Sequence, residues 1–532
     1  MFSDGKIYMG LANGERVYLP LNMCNRHGLI AGASGTGKTI TMKVMAESFA
    51  DAGVPVFLCD VKGDVSGMAA AGAQNEGMEK RIDKFGIRGQ FQYKPYSTTF
   101  WDVYGENGHP IRVTISDMGP DLLSRLLGLS EAQEGVLNIA FKIADDKGLL
   151  LIDLKDLKAL LNYLSEHREE FLTAYGNISA QSIGGIIRAI LPLETQGGDL
   201  FFGEPDLDIF DWIRTDMYGK GMINMLDCVK LVHNPKLYAS FMLWLMAELF
   251  ERLPEAGDAE KPKLVFFFDE AHMLFTDAPK VLVQKIEQLV KLIRSKGVGI
   301  YFVTQSPSDI PDSVLAQLSN RVQHALRAYT PAEQKAVRAA ATSFRANPAF
   351  KTEEVIMELG VGEALTSFLD EKGIPTIVQY TKIICPQSLM APCDDSVRRT
   401  MMRADGMSKY DQMVDNDSAY EMLAKEKEKA EEEAKLEAER AQLQKEREEW
   451  EKQKAKEEEE ARKKREKEEE AARKKKEKEE EAAKKKKERE EEAKKKKKDA
   501  AAERRKAKIE TQLISAGGQI LKRGLLNTLF KK

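Results

Sequence analysis

One octapeptide limits what this chain can fold into more than any other feature: Gly32-Ala33-Ser34-Gly35-Thr36-Gly37-Lys38-Thr39. An apolar run, HGLIAG, precedes it, and a helical pattern over 40–50 follows. Glycines at this spacing let the backbone turn with its N–H groups inward at a helix N-terminus, which cradles phosphate oxygens. A lysine there reaches the β- and γ-phosphates, and the threonine hydroxyl ligates Mg²⁺. The eight residues 32–39 are therefore expected to bind a nucleoside triphosphate with Mg²⁺, on an α/β scaffold.

The rest of the body supports that scaffold. Further β-type apolar runs are VPVFLCD (54–60), GMINMLDC (221–228), KLVFFFDE (263–270), VGIYFVTQ (298–305) and NRVQHALR (320–327). Nearly continuous apolar strands separated by helical patterns imply a mostly parallel sheet covered on both faces. Between about 116 and 220 the pattern is helical, as in LKDLKALLNYLSEHREEF, and reads as an insertion. Two short strands joined by Asn13-Gly14 form a separate β segment over 1–25, and 362–384 reads as a closing hairpin. The nucleotide-binding domain is expected over 26–390, with 391–420 as a linker.

Hydrolysis needs a carboxylate for the metal and a group that activates water. KLVFFFDEAH offers both at a strand end: Asp269 to hold Mg²⁺ through water, Glu270 to orient or deprotonate the attacking water. Two adjacent acids closing a buried apolar strand are costly without such a role. Asp60 ends its own strand, and any doubly wound order is expected to set it beside the phosphate loop. Gln305 ends the strand after that of Glu270, where it can sense the γ-phosphate. Asp269-Glu270-Ala271-His272 spells the box of one RNA helicase class, but that class's other motifs are missing, so His272 reads as a residue that supports the acids from behind or as a structural one.

Charge is unevenly spread. Residues 421–510 hold 34 Lys+Arg and 31 Asp+Glu; the whole chain has 81 and 85, so 47 and 54 remain elsewhere, a net of −7. A mildly acidic body offers no global basic field, so any nucleic-acid contact must be local. Five scattered cysteines without a CxxC pair argue against a disulfide scaffold or a zinc site. With no secretory signal and no apolar run long enough to span a bilayer, a cytoplasmic chain is expected. An 11-residue repeat, EKEEEAARKKK and its two successors over 466–498, puts Glu blocks ahead of Lys blocks. Such pairs add about 0.2–0.5 kcal/mol each to an isolated helix, so 421–510 reads as a solvent-exposed single helix or else a charged disordered tail. Coiled-coil pairing is open only near Leu436, Leu443 and Trp450. The segment 511–532 is amphipathic and basic, suited to a membrane surface, a protein groove or the protein's own body.

With these motifs in place, the chain over about 5–400 resembles the HerA/FtsK group of P-loop NTPases, specifically the bacterial HerA-like helicase family. The resemblance rests on Asn25-Arg26-His27-Gly28, the phosphate loop, FLCDVKGD, FFFDEAH, the run from Thr304 to Pro311 and IPTIVQYTKI. It implies a RecA/FtsK-like fold and a homohexameric ring that hydrolyses ATP between subunits and translocates double-stranded DNA. It assigns phosphate and Mg²⁺ to Lys38 and Thr39, metal support to Asp60 and Asp269, catalysis to Glu270 and sensing to Gln305. Arg294 matches an arginine that completes a neighbour's site, and Arg26 another arginine near the nucleotide. The sizeable N-terminal barrel of archaeal relatives has only about 25 residues to correspond to here, so their nuclease partner is not implied. A different reading is a nucleotide-gated scaffold whose charged rod holds an unidentified protein partner or a membrane surface.

Overall fold

The computed structural model describes residues 1–257, 259–275 and 280–476. The chain divides into two compact units, Met1–Lys427 and Glu428–Lys532. In the first, thirteen strands form one sheet: β1 (Phe2–Ser3), β2 (Lys6–Ala12), β3 (Glu15–Pro20), β4 (Gly28–Ala31), β5 (Val56–Asp60), β6 (Thr98–Asp102), β7 (His109–Pro110), β8 (Ile223–Asp227), β9 (Leu264–Phe268), β10 (Val298–Thr304), β11 (Asn320–Gln323), β12 (Glu363–Ser367) and β13 (Gln379–Ile383). Their order is β1-β2-β13-β12-β11-β4-β10-β9-β5-β8-β6-β7, with β3 on β2. From β11 to β7 every pair is parallel; β12, β13 and the N-terminal strands add an antiparallel flank.

Side-chain alternation explains why the central strands read as unbroken apolar runs. Leu29, Phe57, Phe266 and Phe302 enter one core, while Ile30, Leu58, Phe267 and Val303 enter the other. Successive residues on a strand face opposite sides, so a sheet covered twice needs apolar residues at every position. The first core is closed by the helical insertion, through Leu123, Leu137, Leu160 and Ile186, and by the helix Pro235–Arg252. The second is closed by the helix Lys38–Asp51, through Met42, Met45 and Phe49.

Three features differ from the sequence reading. The segment 1–25 is part of the main sheet, because β2 pairs with β13. β6 and β7 extend the parallel edge beyond the strands expected. The stretch taken as a linker, 391–420, packs on the body: Met407, Tyr410 and Ala419 are buried in the first core, as is Leu423 beyond it. Tyr410 meets Trp101 edge-on at 5.3 Å, and His109 lies between Asp405 and Asp411, at 3.2 and 2.6 Å. These few anchors among polar residues make a strap over the β6–β7 edge.

A helix runs over Ala419–Lys476. Glu421 accepts bonds from the backbone N–H and hydroxyl of Ser418, capping its start. Ion pairs such as Arg462–Glu466 and Lys463–Glu459 line its exposed surface. The charged repeat beyond Lys476 and the amphipathic segment 511–532 lie outside the described residues. Among the described residues no helix is long and apolar enough to cross a membrane.

Candidate nucleotide site

The phosphate loop leaves β4, which is hydrogen-bonded to β10 on one side and β11 on the other. Both neighbours hold it. Gly32 N–H donates to the Thr304 carbonyl at 3.2 Å, and Ala33 N–H to that of Ala325 at 2.8 Å. Gly362 N–H donates to the Thr36 carbonyl at 3.0 Å. Gly35 and Gly37 have φ of 75° and 114°, a region that favours glycine. A Cβ on Gly32 would meet the His324 Cβ at 2.5 Å.

His324 braces the loop from below. One ring nitrogen meets Thr41 Oγ1 at 2.8 Å and the other the Glu363 carbonyl at 2.9 Å. Burial pushes its pKa down to about 4, so the ring is a neutral bridge. Lys38 is buried, with Nζ donating to the carbonyls of Gly32 at 2.7 Å and Ala33 at 3.1 Å. Burial lowers its pKa, and the charge of Glu270 opposes that. Ser34 is exposed and Thr39 half-buried at the helix start.

β10 lies between β4 and β9, so Gln305 stands between the loop and the two acids that follow β9. Asp269 Oδ1 accepts the Glu270 N–H at 3.0 Å; its Oδ2 is buried and meets no partner among the described residues. Burial, then the Glu270 charge, pushes the Asp269 pKa up to about 7. A buried carboxylate oxygen without a donor is costly, and it suits a hydrated hard cation. With the Thr39 hydroxyl, the chemistry fits Mg²⁺.

Glu270 adopts a left-handed backbone, φ 46°, uncommon for a side-chain-bearing residue and frequent at functional sites. Its Oε1 accepts Lys62 Nζ at 2.6 Å. Its Oε2 faces Gln305 Nε2 at 3.4 Å and His272 Nδ1 at 3.3 Å. Burial pushes the Glu270 pKa up, but Lys62, Gln305 and His272 together outweigh it and the net shift is downward.

Three expected residues lie elsewhere. β10 and β9 separate β5 from the phosphate-loop strand, so Asp60 is not beside the loop. Both its oxygens accept backbone N–H groups, from Gly63 at 2.7 Å and Val65 at 3.1 Å, and burial pushes its pKa up to about 6. Arg26 closes the turn Leu21–Arg26 before β4, and Arg294 lies in the turn Ile293–Lys296 before β10. Both are at the N-terminal ends of the central strands β4 and β10, the opposite end from the loop, near His27. There His27 Nε2 bonds the Val290 carbonyl at 2.8 Å, and His27 Nδ1 accepts the Ile300 N–H at 3.0 Å. Burial takes the His27 pKa down to about 4. The sequence reading missed Lys62 and His324; Lys62 had one signal, its place two residues beyond a strand-ending aspartate.

Among solved structures, the plasmid coupling protein TrwB in complex with a non-hydrolysable ATP analogue is similar, with a TM-score of 0.51 and 13% identity, covering 74% of this chain and 92% of that one. VirB4 of Thermoanaerobacter pseudethanolicus gives a TM-score of 0.46 and 15% identity over 72% of this chain and 97% of its own. No curated protein sequence is close enough to match. The TrwB likeness shows a shared fold, an α/β architecture on a mostly parallel sheet. The family model for the helicase HerA-like C-terminal region matches residues 8–532. The chain therefore belongs to the helicase HerA-like family of P-loop proteins.

Proposed function

We propose that the protein is an ATP-hydrolysing motor that works as a homohexameric ring on double-stranded DNA. The observation that carries this reading is the pair at the end of β9: a buried Asp269 oxygen without a partner among the described residues, beside Glu270 and with one strand between it and the phosphate loop. A site that only held nucleotide would have no use for the second acid.

In this reading the loop amides and Lys38 hold the triphosphate, and Thr39 and Asp269 hold Mg²⁺, which supplies charge neutralisation when bound. Glu270 orients a water and accepts its proton as the oxygen attacks the γ-phosphorus; the bond to the β–γ bridging oxygen breaks, leaving ADP and phosphate. Gln305 reports the γ-phosphate to β10. Asp60 acts indirectly, by shaping the 61–65 loop. Arg26 and Arg294 serve a neighbouring subunit's nucleotide, where a guanidinium neutralises charge in the transition state. The domain scheme is a motor body to Lys427 followed by a charged rod toward a protein partner.

The test is ATP turnover by the full chain with and without duplex DNA, beside the oligomer mass in ATP. Stimulation by duplex and a mass of about six subunits are expected. Turnover indifferent to DNA removes the nucleic-acid part, and no turnover removes the motor.

A further inference from the structure

Both oxygens of Glu270 are occupied, Oε1 by Lys62 and Oε2 by Gln305 and His272. The loop after β5 brings Lys62 to it: Asp60 accepts two amides of that loop, and Gly63, at φ 76°, closes the turn. The Lys62 side chain is 45% exposed and that of Glu270 only 6%. One partner is sealed in the site, and the other reaches in from solvent on a flexible stem. The 2.6 Å contact occupies Oε1, while the Gln305 and His272 contacts on Oε2, at 3.4 and 3.3 Å, are longer.

A carboxylate oxygen that accepts an ammonium at this distance has that lone pair engaged and is shielded on that side from an approaching water. The same ammonium occupies Oε1, one of the two oxygens on which Glu270 can hold a water. Lys62 does not duplicate Lys38, whose Nζ lies on the phosphate-loop carbonyls.

We propose that Lys62 is a latch on Glu270: in the resting subunit its ammonium withholds the carboxylate from water, and hydrolysis runs fast only once the ammonium is drawn away. The proposal rests on the reading of Glu270 as the water-activating group. Lys62 is thus a positioning residue that restrains turnover, the opposite sign from a phosphate-binding lysine.

The experiment measures kcat and KM for ATP on the full chain without DNA, for Lys62→Met, Lys62→Gln, the conservative Lys62→Arg, Glu270→Gln and the double variant Lys62→Met/Glu270→Gln. Removing the cation is expected to raise kcat about threefold or more in Met and Gln, with KM unchanged within about twofold. Lys62→Arg keeps the wild-type rate, and the double variant is as inactive as Glu270→Gln. A kcat that is unchanged or lower in both neutral variants overturns the latch, and a lower kcat with a higher KM reassigns Lys62 to the phosphates. If Glu270→Gln itself keeps wild-type turnover, the reading of Glu270 is what fails.

Discussion

Arg294 and Gln305 bracket one strand from opposite ends, the arginine in the turn before β10 and the glutamine just after it. Seven residues of strand separate them, about 23 Å at 3.3 Å per residue. A side chain of Arg294's length does not cover that span, so an arginine acting on nucleotide from this position acts on another subunit's.

Mixing inactive subunits tests that geometry. Arg294→Ala and Glu270→Gln chains should each hydrolyse ATP poorly, and their mixture should regain part of the wild-type rate. Each carries the group that the other lacks, so some interfaces become complete. A mixture no faster than its components assigns Arg294 a role within its own subunit or none.

Lys38 and Glu270 should separate binding from chemistry. Lys38→Ala is expected to weaken ATP binding by an order of magnitude or more, read with a fluorescent analogue. Glu270→Gln should bind normally and lose about 10²–10⁴ in turnover, the usual range for a general base.

The Asp269 carboxyl, pushed up to about 7, makes Mg²⁺ binding compete with a proton. Below neutrality the apparent Mg²⁺ affinity should fall by up to about tenfold per pH unit, since the ligand must first lose its proton. Asp269→Asn should weaken Mg²⁺ binding and flatten that slope. Mg²⁺ titrations between pH 5.5 and pH 8 (roughly the window around that value) check both.

His109 gives the strap its own pH dependence. Burial lowers its pKa, but the bonds it donates to Asp405 and Asp411, with their charges, override this and the net shift is upward from 6.5. A raised histidine pKa contributes stability that is complete below the unfolded value and is lost as pH climbs through the folded one. Hydrogen exchange over 395–427 should therefore accelerate on raising the pH beyond what intrinsic exchange explains, and His109→Gln should remove the excess.

Legibility in the sequence followed the physics of each feature. The strands β4, β5, β8, β9, β10 and β11 announced themselves because double burial demands apolar residues at nearly every position. Thr98–Asp102 did not, since two threonines and an aspartate leave only Phe100 and Trp101 as an apolar signal. The strap was hidden for the same reason, with buried anchors scattered among charges. The phosphate loop and the Asp269–Glu270 pair are local in sequence and could be read directly. Lys62 and Glu270 are 208 residues apart, and their meeting depends on a strand order that no local pattern encodes. The same order removed Asp60 from the loop's side.

The glycine-rich loop after β4 is tied to β10, to Ala325 just beyond β11 and, through Gly362, to the turn before β12. Such a seat is rigid before any ligand arrives, so gripping a triphosphate reshapes it little. Movement must then arise in what surrounds it: the anvil stays fixed, and the hammer is everything hinged around its rim.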